Sequence, residues 1–372
     1  MAPLVVILIV VALAFDFLNG LHDAANSIAT IVSTRVLPPL MAVFWAALFN
    51  FIAFLFFGLH VANTVGKGIV DPAIVSTRVL PPRYAVFWAA FFNFIAFLFF
   101  GLHVAQTVGK GIIHPDIVSD AVIFGALGGA ITWNVATWLA GIPSSSSHAL
   151  IGGLLGAGVA KAGFNPIVWS GVLKTVAGIV LAPGLGCVAA LMLMLLVAWT
   201  FLRFTPFGVD RFFRRAQLVS ASLYALGHGG NDAQKTMGII AVLLYSQGYM
   251  GTEFYVPFWV VLTCQAAMGL GTLFGGWRIV KTMGSKITRL TPMQGFCAET
   301  GGAITLFGAT YLGVPVSTTH TITGAIIGVG SARRVSAVRW NIATSIVMAW
   351  IITMPATALI AAIFYWLSGL AS

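Results

Sequence analysis

Gly20-Leu21-His22-Asp23-Ala24-Ala25-Asn26 stands inside an apolar run that extends from Leu4 to Ile31. A carboxylate set in that much hydrocarbon is costly unless it faces a cavity or a partner, so Asp23 is a functional candidate from the outset. The arrangement returns 209 positions later. Gly229-Gly230-Asn231-Asp232-Ala233-Gln234-Lys235 interrupts a second apolar run, Leu218–Tyr245. A second motif is also doubled. Pro143-Ser144-Ser145-Ser146-Ser147-His148 is echoed, 172 positions on, by Pro315-Val316-Ser317-Thr318-Thr319-His320, and Pro183 and Pro355 keep the same offset. Each half thus reads as an apolar helix carrying Gly and Asp, further helices, then a Pro–hydroxyl–His motif opening a Gly-rich stretch. Duplication of this kind is typical of secondary transporters, whose sites form between repeats from discontinuous helices.

The composition around these motifs agrees. Of 372 residues, 59% are hydrophobic and 8% charged, against roughly a quarter charged in soluble domains. Mean hydropathy is +0.99. Such a surface needs lipid as its solvent, which excludes disorder, a coiled coil and a nucleic-acid-binding domain. The net charge of +10 fits Lys and Arg concentrated on cytoplasmic loops and requires no nucleic-acid partner. The clearest basic cluster is Arg203, Arg211, Arg214 and Arg215. Cys187, Cys264 and Cys297 are far apart in apolar runs, which suggests neither a disulfide framework nor a zinc site. Met1-Ala2-Pro3 has no basic n-region, so the first run reads as a membrane helix rather than a signal peptide.

Runs long enough to span are Leu4–Ile31, Leu40–Val65, Ala85–Val108, Ala121–Ala140, Gly184–Phe204, Leu218–Tyr245, Val256–Lys281, Gly295–Leu312 and Met354–Leu367. Two Gly-rich stretches, Pro143–Ala182 and Pro315–Met354, fit poorly as lipid-facing helices. The expected fold is an all-α polytopic membrane protein with two structural repeats, each holding a broken helix and a helical hairpin. The first half is 1–204, a basic connecting loop is 205–215, and the second half is 216–372.

A further repeat is local. Residues 31–72 and 74–115 align with a shift of 43 and differ at six positions: Leu40/Arg83, Met41/Tyr84, Leu48/Phe91, Asn63/Gln106, Val70/Ile113 and Asp71/His114. Two units are too few for a solenoid. The interval from Asp23 to Pro143 is 120 residues, that from Asp232 to Pro315 is 83, and removing one copy brings the first to 77. One copy is therefore an insertion into an otherwise two-fold chain. The second copy runs directly into the next span, which favours it as the native-like one, whereas the first is joined directly to the Asp23 helix.

The chemistry rests on a few side chains. Asp23 and Asp232 occupy matching positions, and Asp16 and Glu299 are also set in apolar runs. Asp16 lies about two helical turns before Asp23 and could share its face, or serve as a cap or an interfacial residue. Gly20, Gly229 and Gly230 either break their helices, exposing carbonyls for a hard cation, or allow close helix packing. Ser144, Ser145, Ser146 and Ser147, and Ser317, Thr318 and Thr319, each follow a proline. One hydroxyl suffices for an N-cap; the surplus, at a helix N-terminus with free NH groups, suits an anion. Two such sites facing each other could hold a tetrahedral oxyanion. His148 and His320 match between halves and suit the orienting of these tips. His22 and His228 flank the Asp motifs as supporting residues, and Lys235 stands where the first half has Asn26, which points to an ion pair with Asp232.

As a set, these motifs resemble the PiT family of inorganic phosphate transporters. The residues that carry the resemblance are Phe15-Asp16-Phe17-Leu18-Asn19-Gly20-Leu21-His22-Asp23-Ala24-Ala25-Asn26, Gly227-His228-Gly229-Gly230-Asn231-Asp232-Ala233-Gln234-Lys235 and the two Pro–hydroxyl–His motifs. The resemblance implies a phosphate symporter coupled to Na⁺ or H⁺, in the plasma or inner membrane. It also implies inverted repeats, two re-entrant hairpins and a homodimer. It assigns cation and substrate contact to Asp23, Asn26, Asn231 and Asp232, with a Na⁺ site among those four, and phosphate contact to Ser144–Ser147 and Ser317–Thr319. No permanently bound cofactor and no enzymatic activity are implied. The extra copy departs from the family, because one added span would invert all that follows. Other readings of the same residues are a sulfate or other oxyanion permease, a membrane-embedded enzyme and a passive channel. A catalytic triad would not be expected twice in matching halves, and paired hairpin caps suggest occlusion rather than an open pore.

Overall fold

In the computed structural model, residues 2–52, 102–251, 254–274 and 276–370 are described. Among them the chain is helical throughout. The helices are α1 (Pro3–Ser33), α2 (Pro39–Ile52), α3 (His103–Lys110), α4 (Asp120–Ala140), α5 (Ser146–Ala162), α6 (Trp169–Thr200), α7 (Pro206–Ser246), α8 (Phe258–Phe274), α9 (Trp277–Lys281), α10 (Pro292–Tyr311), α11 (Thr318–Arg333) and α12 (Trp340–Leu370). A π-helical turn, Thr282–Lys286, continues α9.

Four of these, α1, α4, α6 and α12, are long and apolar enough to cross a membrane, and α8 with the bent segment after it would make a fifth. Their outer faces are what lipid would solvate: Leu173, Val180, Leu185, Val188, Met192 and Trp199 on α6 are exposed, as are Ile351, Leu359, Ile363 and Trp366 on α12. Half of the span expected at Leu40–Val65 and most of that at Ala85–Val108 lie outside the described residues. Helix α7 does not pass on apolarity, for a physical reason. It is buried almost all round from Ser220 to Leu244, so its polar residues face other helices and no lipid-facing side is needed.

Three expectations are corrected. The helices carrying Asp23 and Asp232 are not broken: α1 runs through Gly20, and α7 through Gly229 and Gly230. Gly20 serves the alternative role, close packing. A Cβ there would lie 2.2 Å from the Met268 carbonyl oxygen, and one on Gly271 would lie 2.0 Å from that of Phe17. The backbones of α1 and α8 thus touch where only hydrogen fits. Next, α6 and α12 pass straight through Pro183 and Pro355, so each is one long helix rather than a hairpin arm followed by a span. The proline ring removes one hydrogen bond, which neighbouring helices in a membrane bundle can accommodate. Finally, the stretch 205–215 is not a loop from Pro206 onward but the first turns of α7. Thr205 caps it by accepting from the Gly208 amide at 3.3 Å, and proline is favourable in the first turn.

The halves are interleaved. Helix α5 packs on α4 and on α12 of the other half, while α11 packs on α10 and on α6. Both crossings rely on missing side chains: a Cβ on Gly156 would meet the Ala358 carbonyl oxygen at 2.0 Å, and one on Gly328 that of Cys187 at 2.3 Å.

The tandem copies contribute in an unforeseen way. Helix α2, from the first copy, packs on α1, α7 and α8, with Ala42, Val43 and Ala46 buried and Trp45 donating to Ser222 at 2.7 Å. Helix α3, from the second copy, packs on α7. Residues 31–52 and 102–115 together make up nearly one complete copy, since position 102 is the counterpart of 59. The remainder of both copies lies outside the described residues.

Candidate functional site

Helices α5 and α11 both begin deep inside the molecule. Ser145 accepts from the His148 amide at 3.2 Å, and Ser317 from the His320 amide at 3.3 Å, so these two are the N-caps. Capping therefore uses one hydroxyl per motif and releases the others. Ser144 turns to α4, donating to Thr137 at 2.9 Å. Ser146, Ser147, Thr318 and Thr319 turn to the two aspartates. All seven of these motif residues are buried.

Four hydrogen bonds define the centre. Ser146 donates to Asp23 at 2.7 Å, and its counterpart Thr318 donates to Asp232 at 2.9 Å. Thr319 reaches across to Asp23 at 3.4 Å, and its counterpart Ser147 reaches across to Asp232 at 3.3 Å. Each bond has its mate under the offsets of 209 and 172 read from the sequence. Each carboxylate accepts one hydroxyl from its own half and one from the other.

The surrounding groups fix this core. Asn26 donates to Thr318 at 3.2 Å and to Thr319 at 2.9 Å, while its own Oδ1 is buried without a partner among the described residues. Lys235 forms a buried ion pair with Asp232 and also donates to Ser147 at 2.5 Å and to the Val316 carbonyl at 2.7 Å. His22 lies 2.7 Å from Asp23, and His228 lies 3.3 Å from Asp232. The tips meet through the rings of His148 and His320, 4.7 Å apart and edge to face, with His320 stacked on Trp350. Asn231 faces away, donating to Thr310 of α10 at 3.0 Å. Sequence reasoning missed Asn19, whose side-chain amide lies 2.5 Å from the Ser146 hydroxyl, and Tyr224, whose hydroxyl donates to the Thr318 carbonyl at 2.8 Å. Asn19 lies in the quoted motif one turn before Asp23, and Tyr224 lies in the run Leu218–Tyr245 about two turns before Asp232, so helical spacing could have found them.

Asp16 and Glu299 belong to separate clusters. Asp16 is buried between α1 and α7, accepting from Thr236 at 2.9 Å, and so is neither a cap nor interfacial. Glu299 accepts from Thr30 at 2.5 Å, Ser220 at 2.5 Å and Gln217 at 3.0 Å.

Chemically, the centre can bind both signs of charge. Ligand atoms of Asp23, His228 and Asp232 lie within 4.8 Å of one another, close enough to share a cation. Two helix N-termini with surplus hydroxyls converge on the same point and favour an anion. Two helix tips and two aspartate-bearing helices thus meet at one buried polar centre inside a bundle with membrane-spanning helices, the arrangement of a membrane transporter. The phosphate transporter family model matches residues 19–75, 72–209 and 205–361, and the chain belongs to that family. The break at 72–75 falls on the junction of the tandem copies. This is a family of transporters rather than enzymes, and the chain is a multi-pass membrane protein. It is 67% identical over 368 residues to a probable low-affinity inorganic phosphate transporter of Rhizobium meliloti (strain 1021), covering 99% of this chain and 97% of that one. A protein of the same description from Bacillus subtilis (strain 168) is 39% identical over 364 residues, covering 98% and 97%. A solved structure titled "The sodium-dependent phosphate transporter" shares the fold, with a TM-score of 0.80 at 23% identity over 99% of both chains.

Proposed function

We propose that this protein carries inorganic phosphate across the plasma membrane by symport with a cation, Na⁺ or H⁺. The observation that carries the reading is the convergence of Asp23 and Asp232 with the tips of α5 and α11. A phosphate anion entering beside two carboxylates is repelled unless positive charge arrives with it, so substrate and cation must load together. That is the physical content of coupling. Ser146, Ser147, Thr318 and Thr319 hold phosphate oxygens, on tips organised by Ser144, Ser145 and Ser317. Asp23, Asn26 and Asp232 hold the cation, with Asn231 bracing α7 from behind. Hydrogen phosphate carries OH donors that a carboxylate can accept, whereas sulfate carries none at neutral pH, which favours phosphate over sulfate.

In this reading the halves 1–204 and 216–372 are inverted repeats. The segments around α5 and α11 enter the membrane as re-entrant hairpins, and two chains form a homodimer. The buried starts of α5 and α11 and the matched offsets support the repeats. Uptake of radiolabelled phosphate into proteoliposomes, with and without a Na⁺ gradient or a pH gradient, tests the function. Phosphate uptake driven by either gradient and resistant to excess sulfate is expected. Uptake that sulfate abolishes, or that neither gradient accelerates, would refute it.

A further inference from the structure

Asn26 and Lys235 occupy the same place in the two motifs, 209 positions apart, and differ in charge. Their contacts correspond. Asn26 donates to Thr319, and Lys235 donates to the counterpart of Thr319, Ser147. The Lys235 ammonium has three N–H donors and three oxygens around it: an Asp232 carboxylate oxygen, the Ser147 hydroxyl and the Val316 carbonyl. It therefore has no donor to offer phosphate. Carboxylate, hydroxyl and backbone carbonyl are also the oxygens that take a hard monovalent cation in broken-helix transporters. In the first half the matching position ends in a shorter, neutral amide. There Asp23 accepts from Thr319 at 3.4 Å, and Asn26 Oδ1 is buried with no partner among the described residues. The charged or titratable group nearest Asp23 there is His22, at 2.7 Å. The first half thus offers carboxylate, hydroxyl and amide oxygens, and among the described residues the one nearby ammonium, that of Lys235, is hydrogen-bonded to Asp232, Ser147 and Val316 instead.

We propose that the Lys235 ammonium is a tethered cation. In the second half it stands where, in the first half, a mobile monovalent cation binds beside Asp23 and Asn26. The inference rests on the symport reading above and deepens it. One mobile cation fewer accompanies each phosphate than would in a chain with Asn at both positions. The asymmetry also explains how a lysine is tolerated at membrane depth: its charge is neutralised by Asp232 and its donors are saturated.

The test uses the full chain, purified and reconstituted, as parent, Lys235→Asn and Lys235→Gln. Na⁺, K⁺ and Li⁺ are titrated against thermal melting and against radiolabelled phosphate uptake, with choline as the replacement cation. Charge moved per phosphate is read from the reversal potential. Either folded variant is expected to respond to one more monovalent cation than the parent, whose own cation sits beside Asp23 and Asn26. The Hill slope should rise by about one and one more positive charge should accompany each phosphate. A folded variant that matches the parent, or that gains no cation response in melting and no uptake with any of the three ions, overturns the proposal. The reciprocal Asn26→Lys gives the first half its own ammonium and decides the matter if neither Lys235 variant folds. Its phosphate uptake should no longer follow a Na⁺ or H⁺ gradient, and retained gradient-driven uptake would overturn the inference. A parent that takes up no phosphate at all would refute the symport reading instead, while the melting titration would still report the gained cation site.

Discussion

Ser147 lies 3.3 Å from Asp232, so a hydroxyl from the tip of the first half caps the carboxylate of the second. Thr319 does the converse for Asp23 at 3.4 Å. Neither tip can leave the centre without uncapping the other half's acid. In the proposed symport this contact would link movement of the tips to what the acids hold, the requirement for alternating access about a fixed site.

The division of labour within the serine run gives a graded expectation. Ser145 is a cap, so Ser145→Ala should lower the melting temperature, with a cost of about 1 kcal/mol, and leave the apparent phosphate affinity close to the parent's. Ser146→Ala and Thr318→Ala each delete a hydrogen bond to a carboxylate, an interaction of about 1.5–3 kcal/mol. Their apparent KM for phosphate should rise roughly ten- to hundredfold while the protein stays folded. Radiolabelled uptake at graded phosphate concentrations separates the two groups. Equal effects in all three variants would disprove the distinction between cap and site.

The two aspartates should not respond alike. Asp232 is paired with a buried lysine, whereas Asp23 faces His22 and two hydroxyls. Asp232→Asn strands the Lys235 charge, and breaking a buried pair in this way costs about 3–5 kcal/mol. Asp23→Asn strands no fixed cation. Both variants should lose uphill phosphate accumulation, but only Asp232→Asn should show a large drop in melting temperature. Differential scanning fluorimetry in detergent beside the uptake assay checks this. Equal stability of the two variants would show that Lys235 does not depend on Asp232.

Much of this site was legible in the chain because its chemistry is written twice. Asp23, Asp232 and both hydroxyl runs stand out as polar groups in apolar sequence, and the offsets of 209 and 172 pair them before any coordinates. What could not be read was which hydroxyl does what. Ser145 and Ser146 are chemically identical, and only the start of α5 decides that one caps and the other reaches Asp23. The role of the glycines was equally ambiguous. A glycine beside an aspartate weakens a helix and also permits contact between backbones, and the outcome depends on whether a neighbour such as α8 arrives. The continuous α6 and α12 were missed because proline is read locally as a helix end, whereas tertiary packing here carries the helix past it.

The α1–α8 contact makes a sharp structural test. A Cβ on Gly20 would sit 2.2 Å from the Met268 carbonyl oxygen, a backbone atom that no side-chain rotation can move. Gly20→Ala should therefore push α8 away from α1, one turn below Asp23. The expected outcome is a clear loss of thermal stability together with loss of phosphate uptake. Gly184→Ala, where nothing lies within 4 Å of the new methyl group, is the control and should behave as the parent. A fully stable Gly20→Ala protein would show that α1 and α8 do not touch at this position.

The tandem duplication yields the last expectation. The core is contacted by α2 from the first copy and α3 from the second, and residues 31–52 with 102–115 amount to nearly one copy. Deleting 53–95 removes one 43-residue period and joins Ile52 to Ala96, the residue that follows isoleucine in both copies. The product retains α2, α3 and each hydrogen bond at the centre. It also restores the interval between Asp23 and Pro143 to 77 residues, near the 83 of the second half. Removing a hydrophobic segment long enough to span would invert all that follows if that segment spans. If the two halves work as matched repeats, such an inversion would disable transport, so the deletion tests whether the removed segment spans. The shortened chain should insert, melt at or above the parent's temperature and take up phosphate at least as fast. Cysteine accessibility on either side of the deletion, on Arg203→Cys for example, reports orientation independently of uptake. A deletion variant that is folded and correctly oriented yet inactive beside an active parent would mean that the deleted segment has a role in transport. A reversed Arg203 would mean that both copies span.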